Sequence, residues 1–344
     1  MSWKQSLTTL LGVPPATTIA SALARREPLV VLYHGVTTNE QPEGSENYRW
    51  KHIPLSAFRE QIAWLAAHFA VIPLADIERH ARDGSSFDRP VCAMTFDDGY
   101  RNNFTNAFPV LREKKIPATF FVTTGFIDDH TALWPDRLEF AINKSQSASF
   151  IVTWPDGEKR YDCVTTAHKI AADGDIRGRL KRVSSDVRET VIASIVSQTK
   201  ADVQRELSAH SDYAPLSWQE IREMSAVGMA IGAHTVSHPI LSMLPGAAQE
   251  TEMRISTERI RVEVGKCDSF AYPNGQPGDW NQETKTALQS AGFTTAWTTE
   301  MRRVRLGNES DLLALPRIAL DAGHLRRQFA ARVSNALPLV KTYR

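Results

Sequence analysis

The chain has 344 residues, 42% of them hydrophobic, 23% charged and 8% aromatic; that is enough apolar material for a sizeable core and excludes general disorder. Forty Lys and Arg against thirty-nine Asp and Glu leave a net charge of +1 with no large block of either sign. Without the basic stripe that neutralises phosphates, nucleic acid is not expected as a main partner. The three cysteines, Cys92, Cys163 and Cys267, are odd in number and widely spaced, which fits neither a disulfide framework nor a cysteine zinc site. No apolar run approaches the ~20 residues of a membrane helix.

Residues 1–27 read as an extension ahead of one domain over 28–344. Lys4, the apolar residues 7–13 and Ala20-Ser21-Ala22 resemble an export signal, but Pro14-Pro15 and paired threonines interrupt it. A short amphipathic helix is the expectation, and with it a cytoplasmic location; an exported form is the alternative.

Leu29-Val30-Val31-Leu32-Tyr33 is a buried strand ending at His34-Gly35. A polar loop over 39–48 follows. Phe58, Ile62, Leu65 and Phe69 recur at helical spacing after Ser56, the expected N-cap. A short strand at 71–74 precedes a helix capped by Asp76. A third apolar run, 91–96, ends at Asp97-Asp98-Gly99; a helix at 104–115 and a strand at 118–123 come next. Strands alternating with helices predict a parallel sheet with helical crossovers. Between about 134 and 215 the rhythm breaks into a polar, mainly helical insertion with a hairpin around Pro155-Asp156-Gly157. Alternation then resumes: helix from 218, strand 229–232, helix 246–264, strand 269–272, helix 282–291, strand 294–298.

Two strand exits carry the chemistry. Asp97 and Asp98 end a buried strand, where adjacent carboxylates are costly unless charge, hydrogen bonds or a metal compensate them; Asp-Asp-Gly is also ordinary turn chemistry. His234-Thr235-Val236-Ser237-His238 leaves the strand ahead of Pro239, so its two imidazoles belong to a turn rather than a helix. Two histidines and one carboxylate make a three-ligand site with open positions, the catalytic pattern for zinc and related ions.

T-F-D-D-G at 95–99 followed by H-T-V-S-H at 234–238 resembles the polysaccharide deacetylase family (carbohydrate esterase family 4), with support from F-A-Y-P-N-G at 270–275 and Leu315-Pro316-Arg317-Ile318. The resemblance spans residues 29–318, the insertion aside. It implies a distorted (β/α)7 barrel with the site at the strand C-termini. It also implies a divalent metal, zinc first, with cobalt, manganese or nickel as alternatives. Asp98, His234 and His238 would hold the ion, and Asp97 would be the general base for an attacking water. The implied substrate is carbohydrate: an N-acetylated amino sugar in a polysaccharide, oligosaccharide or glycan precursor.

Two departures from the family pattern stand out. Ala271 occupies the place of the Arg in R-x-P-Y, and Asn274 that of the Tyr. Asn274, whose backbone N–H can serve an oxyanion, Tyr272 and Arg317 are therefore the substrate-side candidates; Arg317 replaces the missing Arg or else is a surface or helix-capping residue. The C-terminal L-x-x-H motif is also missing. His34 instead ends the first strand, as in the branch with permuted motif order, and is the candidate acid for the leaving amine. Three alternatives remain: hydrolysis of a small non-sugar amide, a glycosyltransferase using Asp-Asp-Gly on a metal-diphosphate, and a non-catalytic carbohydrate-binding relic.

Overall fold

The computed structural model describes residues 27–307 and 311–320, together with Phe329 and Val333. Its strands are β1 (Leu29–Tyr33), β2 (Gly35–Thr37), β3 (His52–Pro54), β4 (Ala70–Val71), β5 (Val91–Phe96), β6 (Ala118–Val122), β7 (Ser149–Trp154), β8 (Gly157–Asp162), β9 (Ala230–Ala233), β10 (Phe270–Ala271), β11 (Ala296–Trp297) and β12 (Ile318–Ala319). Seven of them form one all-parallel path in the order β11-β10-β9-β6-β5-β1-β12, and β4 adds to the start of β5. β1, β5 and β6 are buried along their whole length, as strands covered on both faces must be, which is why they read as unbroken apolar runs.

The sheet curls far enough for its two edges to be joined by one segment. Leu315 N–H donates to Ala296 O at 2.9 Å and Thr298 N–H to Leu315 O at 2.7 Å, while three residues on Ile318 pairs with Val31 of β1. The expected distorted (β/α)7 barrel is the observed architecture. Register sets the site: Tyr33 lies opposite Phe96, Phe96 opposite Phe120, and Val122 opposite Ala233. His34, Asp97 and His234, each next in the chain, and Asp98 one position further, therefore emerge together at one carboxyl edge.

Helix Leu55–His68 starts at Pro54 rather than at a Ser56 cap, and the Ser56 hydroxyl donates to Glu40 instead. Helix Leu74–Asp83 likewise follows Pro73, so the strand expected at 71–74 shortens to Ala70–Val71. The helix expected over 104–115 is a wide π turn, Asn103–Ala107, running into Phe108–Glu113. A small parallel pair, β2 with β3, brackets the polar loop. Residues 134–213 carry helix Trp134–Asn143, the antiparallel β7–β8 hairpin, and helices Thr166–Leu180, Ser185–Thr199 and Val203–Ala209. They pack on a core of their own, including Leu138, Phe140, Phe150, Ile176, Ile192 and Tyr213. Residues 1–26, with the expected amphipathic helix, lie outside the described residues.

Candidate metal centre and catalytic site

Asp98 leaves β5 with φ at 75° and Gly99 follows at 93°. This left-handed bend turns the second carboxylate out of the strand's alternation. The His-Thr-Val-Ser-His turn is bent in the same sense, Thr235 at 68° and His238 at 55°. His238 N–H donates to Thr235 Oγ1 at 3.1 Å, and the Glu252 carboxylate receives Val236 N–H at 2.7 Å, Ser237 N–H at 3.0 Å and Ser237 Oγ at 2.7 Å. The turn is thus built to return His238 over the strand end.

The outcome is a buried cluster. His234 Nε2 lies 3.4 Å and His238 Nε2 3.3 Å from Asp98 Oδ1, and among the described residues these three alone gather donor atoms within 4.8 Å of one another. His234 Nδ1 lies 2.7 Å from Ala271 O. A carbonyl only accepts, so Nδ1 carries a proton; in the neutral ring Nε2 then has a lone pair for a cation, and in the protonated ring it donates toward Asp98. Asp98 Oδ1, fully enclosed, has no hydrogen-bond partner. Burial works to raise the Asp98 pKa, yet the two imidazoles outweigh it and hold the group well below the usual carboxylate range. An ionised carboxylate with an orphaned oxygen facing two imidazole nitrogens is a donor set that fits a divalent cation.

Asp97 is held differently. Arg317, with no exposed surface, donates from Nη1 to Asp97 Oδ1 at 2.7 Å and from Nη2 to Oδ2 at 2.8 Å. Its Nε donates to Thr298 O and its Nη1 also to Thr95 Oγ1, each at 3.1 Å. The guanidinium comes from the closing segment beside β12, in a two-pronged grip that fixes both oxygens of the carboxylate. Arg317 thus orients the Asp97 carboxylate from inside the barrel, and the surface or helix-capping alternative falls.

His34 follows β1, directly beside Asp97, whose N–H donates to Tyr33 O at 2.9 Å. Desolvation lowers its pKa most; Asp98 and Asp97 oppose the shift, and Lys51 and His234 add to it. Asn274 takes φ of 60°, and its backbone N–H has no partner among the described residues. Tyr272 needs correction as a substrate-side candidate. Its hydroxyl donates to Leu313 O at 2.6 Å, its N–H donates to Trp297 O at 3.0 Å, and its ring stacks on Trp280, so it braces the barrel and offers no free donor.

Two neighbours of the site carry no sequence signal. The His52 ring packs against Gly35, where a Cβ would fall 1.9 Å from Nδ1. Asn102 Nδ2 donates to that Nδ1 at 2.9 Å, while Nε2 is buried without a partner. Lys51 Nζ donates to Tyr100 OH at 2.9 Å and pairs with the Asp136 carboxylate from the inserted segment.

The sequence model described as polysaccharide deacetylase matches residues 84–174 and 182–296, more than half of the chain. The chain belongs to the polysaccharide deacetylase family. Within it, the chain is 31% identical over 91 residues to the poly-beta-1,6-N-acetyl-D-glucosamine N-deacetylase of Escherichia coli (strain K12), covering 26% of this chain and 13% of that one. It is 36% identical over 75 residues to the enzyme of the same name from Staphylococcus aureus (strain MSSA476), covering 22% and 26%. The matched segments are thus about a quarter or less of those curated relatives. Among solved structures, the Streptococcus pyogenes deacetylase PplD in complex with acetate superposes with a TM-score of 0.59 at 17% identity, over 89% of this chain and 98% of that one. IcaB from Ammonifex degensii gives 0.57 at 18%, over 90% and 97%. The family's barrel is therefore shared over nearly the whole of both.

Proposed function

We propose that this family member removes the acetyl group from the nitrogen of an amino sugar, in a polysaccharide, oligosaccharide or glycan precursor, by metal-dependent hydrolysis. One observation carries the reading. A carboxylate with two histidines, a second carboxylate clamped by a buried arginine, and a third histidine all emerge at one edge of the barrel. The names of the Escherichia coli and Staphylococcus aureus relatives support N-acetylglucosamine polymers as the substrate class.

Asp98, His234 and His238 would hold a divalent ion, with zinc as the proposed metal because two imidazoles and one carboxylate with open positions suit it. When bound, such an ion lowers the pKa of water to about 7 and polarises the amide carbonyl. The chain's own residues supply the rest. Asp97, immobilised by Arg317, accepts a proton from the attacking water. The unpaired N–H of Asn274 is available to the oxygen on which negative charge develops. His34 gives a proton to the departing amine nitrogen, its lowered pKa making its imidazolium the stronger acid.

The grip of Arg317 on Asp97 also argues against the glycosyltransferase alternative. That chemistry needs carboxylates free to turn toward a metal-diphosphate, whereas Arg317 fixes the orientation of Asp97 and two histidines face Asp98. A cytoplasmic location is proposed on the interrupted apolar run near the N-terminus; a cleaved N-terminus in exported protein would refute it.

The test is acetate release from N-acetylglucosamine oligomers by protein loaded with zinc or cobalt. Release that disappears on chelation and returns with metal supports the reading. One tightly bound ion with no acetate released from any N-acetylated sugar would overturn it.

A further inference from the structure

Lys51 sits at the end of the polar loop and is tied into the site from three directions. Its backbone carbonyl accepts Gly35 N–H at 3.1 Å, which sets it beside His34. Its ammonium donates at 2.9 Å to the hydroxyl of Tyr100, two residues beyond Asp98. The same ammonium pairs with Asp136, in the first turn of helix Trp134–Asn143. Tyr100 OH in turn donates to Asp136 Oδ2 at 2.6 Å, so ammonium, phenol and carboxylate close a ring of contacts. Asp136 and Tyr100 are sealed from solvent, whereas 15% of the Lys51 side chain remains open.

An ammonium has three N–H donors. Two are spent on Tyr100 and Asp136, and the third has no recorded partner among the described residues. The charge is felt at the centre itself, where it acts on His34, His52 and His238. Neutralising Asp136 would need nothing more than a sealed pair. A partly open ammonium, held by two buried anchors next to the acid and the metal ligands, is placed for a ligand.

Resting on the deacetylase reading, we propose that Lys51 is a substrate-binding residue, whose third N–H is presented to a hydroxyl or ring oxygen of the amino sugar carrying the acetamide. The inserted segment then acts on specificity through Asp136, which fixes the direction of that N–H. Asp136 and Tyr100 are positioning residues.

Lys51→Met alone would leave a buried, unpaired Asp136 carboxylate and endanger folding, so the comparison is between Asp136→Asn and the double variant Lys51→Met/Asp136→Asn. Both are loaded with zinc and assayed on N-acetylglucosamine oligomers and on 4-nitrophenyl acetate, an acetyl ester without a sugar ring. Metal content and melting temperature check that the centre is intact. The quantity read is the ratio of kcat/KM for the oligomer to that for the ester. A charge-assisted hydrogen bond to the sugar makes this ratio about 10- to 100-fold lower in the double variant than in Asp136→Asn, mainly through KM. Lys51→Arg, which keeps the charge but displaces the donors, lowers it in the same direction. Equal ratios in Asp136→Asn and the double variant overturn the assignment while leaving the deacetylase reading standing. Ester hydrolysis by wild-type protein with no hydrolysis of any N-acetylated sugar overturns both.

Discussion

Replacing Arg317 by Met tests the grip on Asp97 directly. The guanidinium is wholly enclosed and Asp97 is 2% exposed, so their two contacts of 2.7 and 2.8 Å lie in a region of low dielectric. Arg317→Met deletes both, along with the bonds to Thr298 O and Thr95 Oγ1, and strands a buried carboxylate. Breaking a buried pair in this one-sided way costs about 3–5 kcal/mol, a large share of the roughly 5–15 kcal/mol that holds a domain folded. Asp97→Asn/Arg317→Met removes both charges at once and is expected to recover about half of the loss or more. The assay is urea unfolding at pH 7 in excess chelator, which prevents metal binding from masking the change, with the two single variants and the double variant forming a thermodynamic cycle. An Arg317→Met loss below about 1 kcal/mol, or a double variant no more stable than Arg317→Met, would refute the argument that the carboxylate depends on this arginine.

Asp98→Ala and His234→Ala are each expected to abolish stoichiometric metal binding, measured by elemental analysis after mild dialysis; retention of the ion would place the metal elsewhere. His34→Gln lowers kcat by about 10²- to 10⁴-fold at unchanged metal content if it is the acid, and a loss under threefold would remove it from that role. Burial pushes the Glu139 carboxyl up to about 7, against the pull of Arg177, Lys51 and the Asn47 N–H. A raised carboxylate binds its proton more tightly folded than unfolded, so its stabilising contribution grows as pH falls through 7. From pH 8 to 5.5 wild type is expected to gain about 2 kcal/mol relative to Glu139→Gln; parallel stability curves for the two proteins would contradict this. Gly35→Ala drives a Cβ to 1.9 Å from His52 Nδ1 and 2.8 Å from Asn102 Oδ1, an overpacking expected to cost about 1–3 kcal/mol in a denaturant titration.

The strands that carry Asp97, Asp98 and His34 were legible because parallel strands buried on both faces must be written in unbroken apolar residues. β2 and β3 were not, since three residues are too few to show a period and their pairing spans the polar loop. The cluster of Asp98, His234 and His238 follows from two motifs at strand exits. Its orientation does not, because the left-handed backbone at Asp98 and the brace from Glu252 lie in the fold. Arg317 was visible as part of a short motif, but its contact with Asp97 depends on how the sheet edges meet. Tyr272 misled for the mirror-image reason: the acceptor that occupies its hydroxyl, Leu313, lies 41 positions away. Lys51 finds Tyr100 and Asp136 at separations of 49 and 85 residues, beyond the reach of local pattern.

The segment running from Leu315 to Ala319 sets an order in time as well as in space. Asp97 and Arg317 are 220 residues apart in the chain, so a ribosome finishes β1, β5 and the Asp-Asp turn long before it supplies the arginine that steadies them. Until then β1 presents an open edge with unpaired backbone groups, and Asp97 has every reason to stay in water. The strand that shuts the barrel is also the one that delivers the counter-charge. The proposed base's partner and the cover for the β1 edge are thus both supplied by the same late segment of the chain.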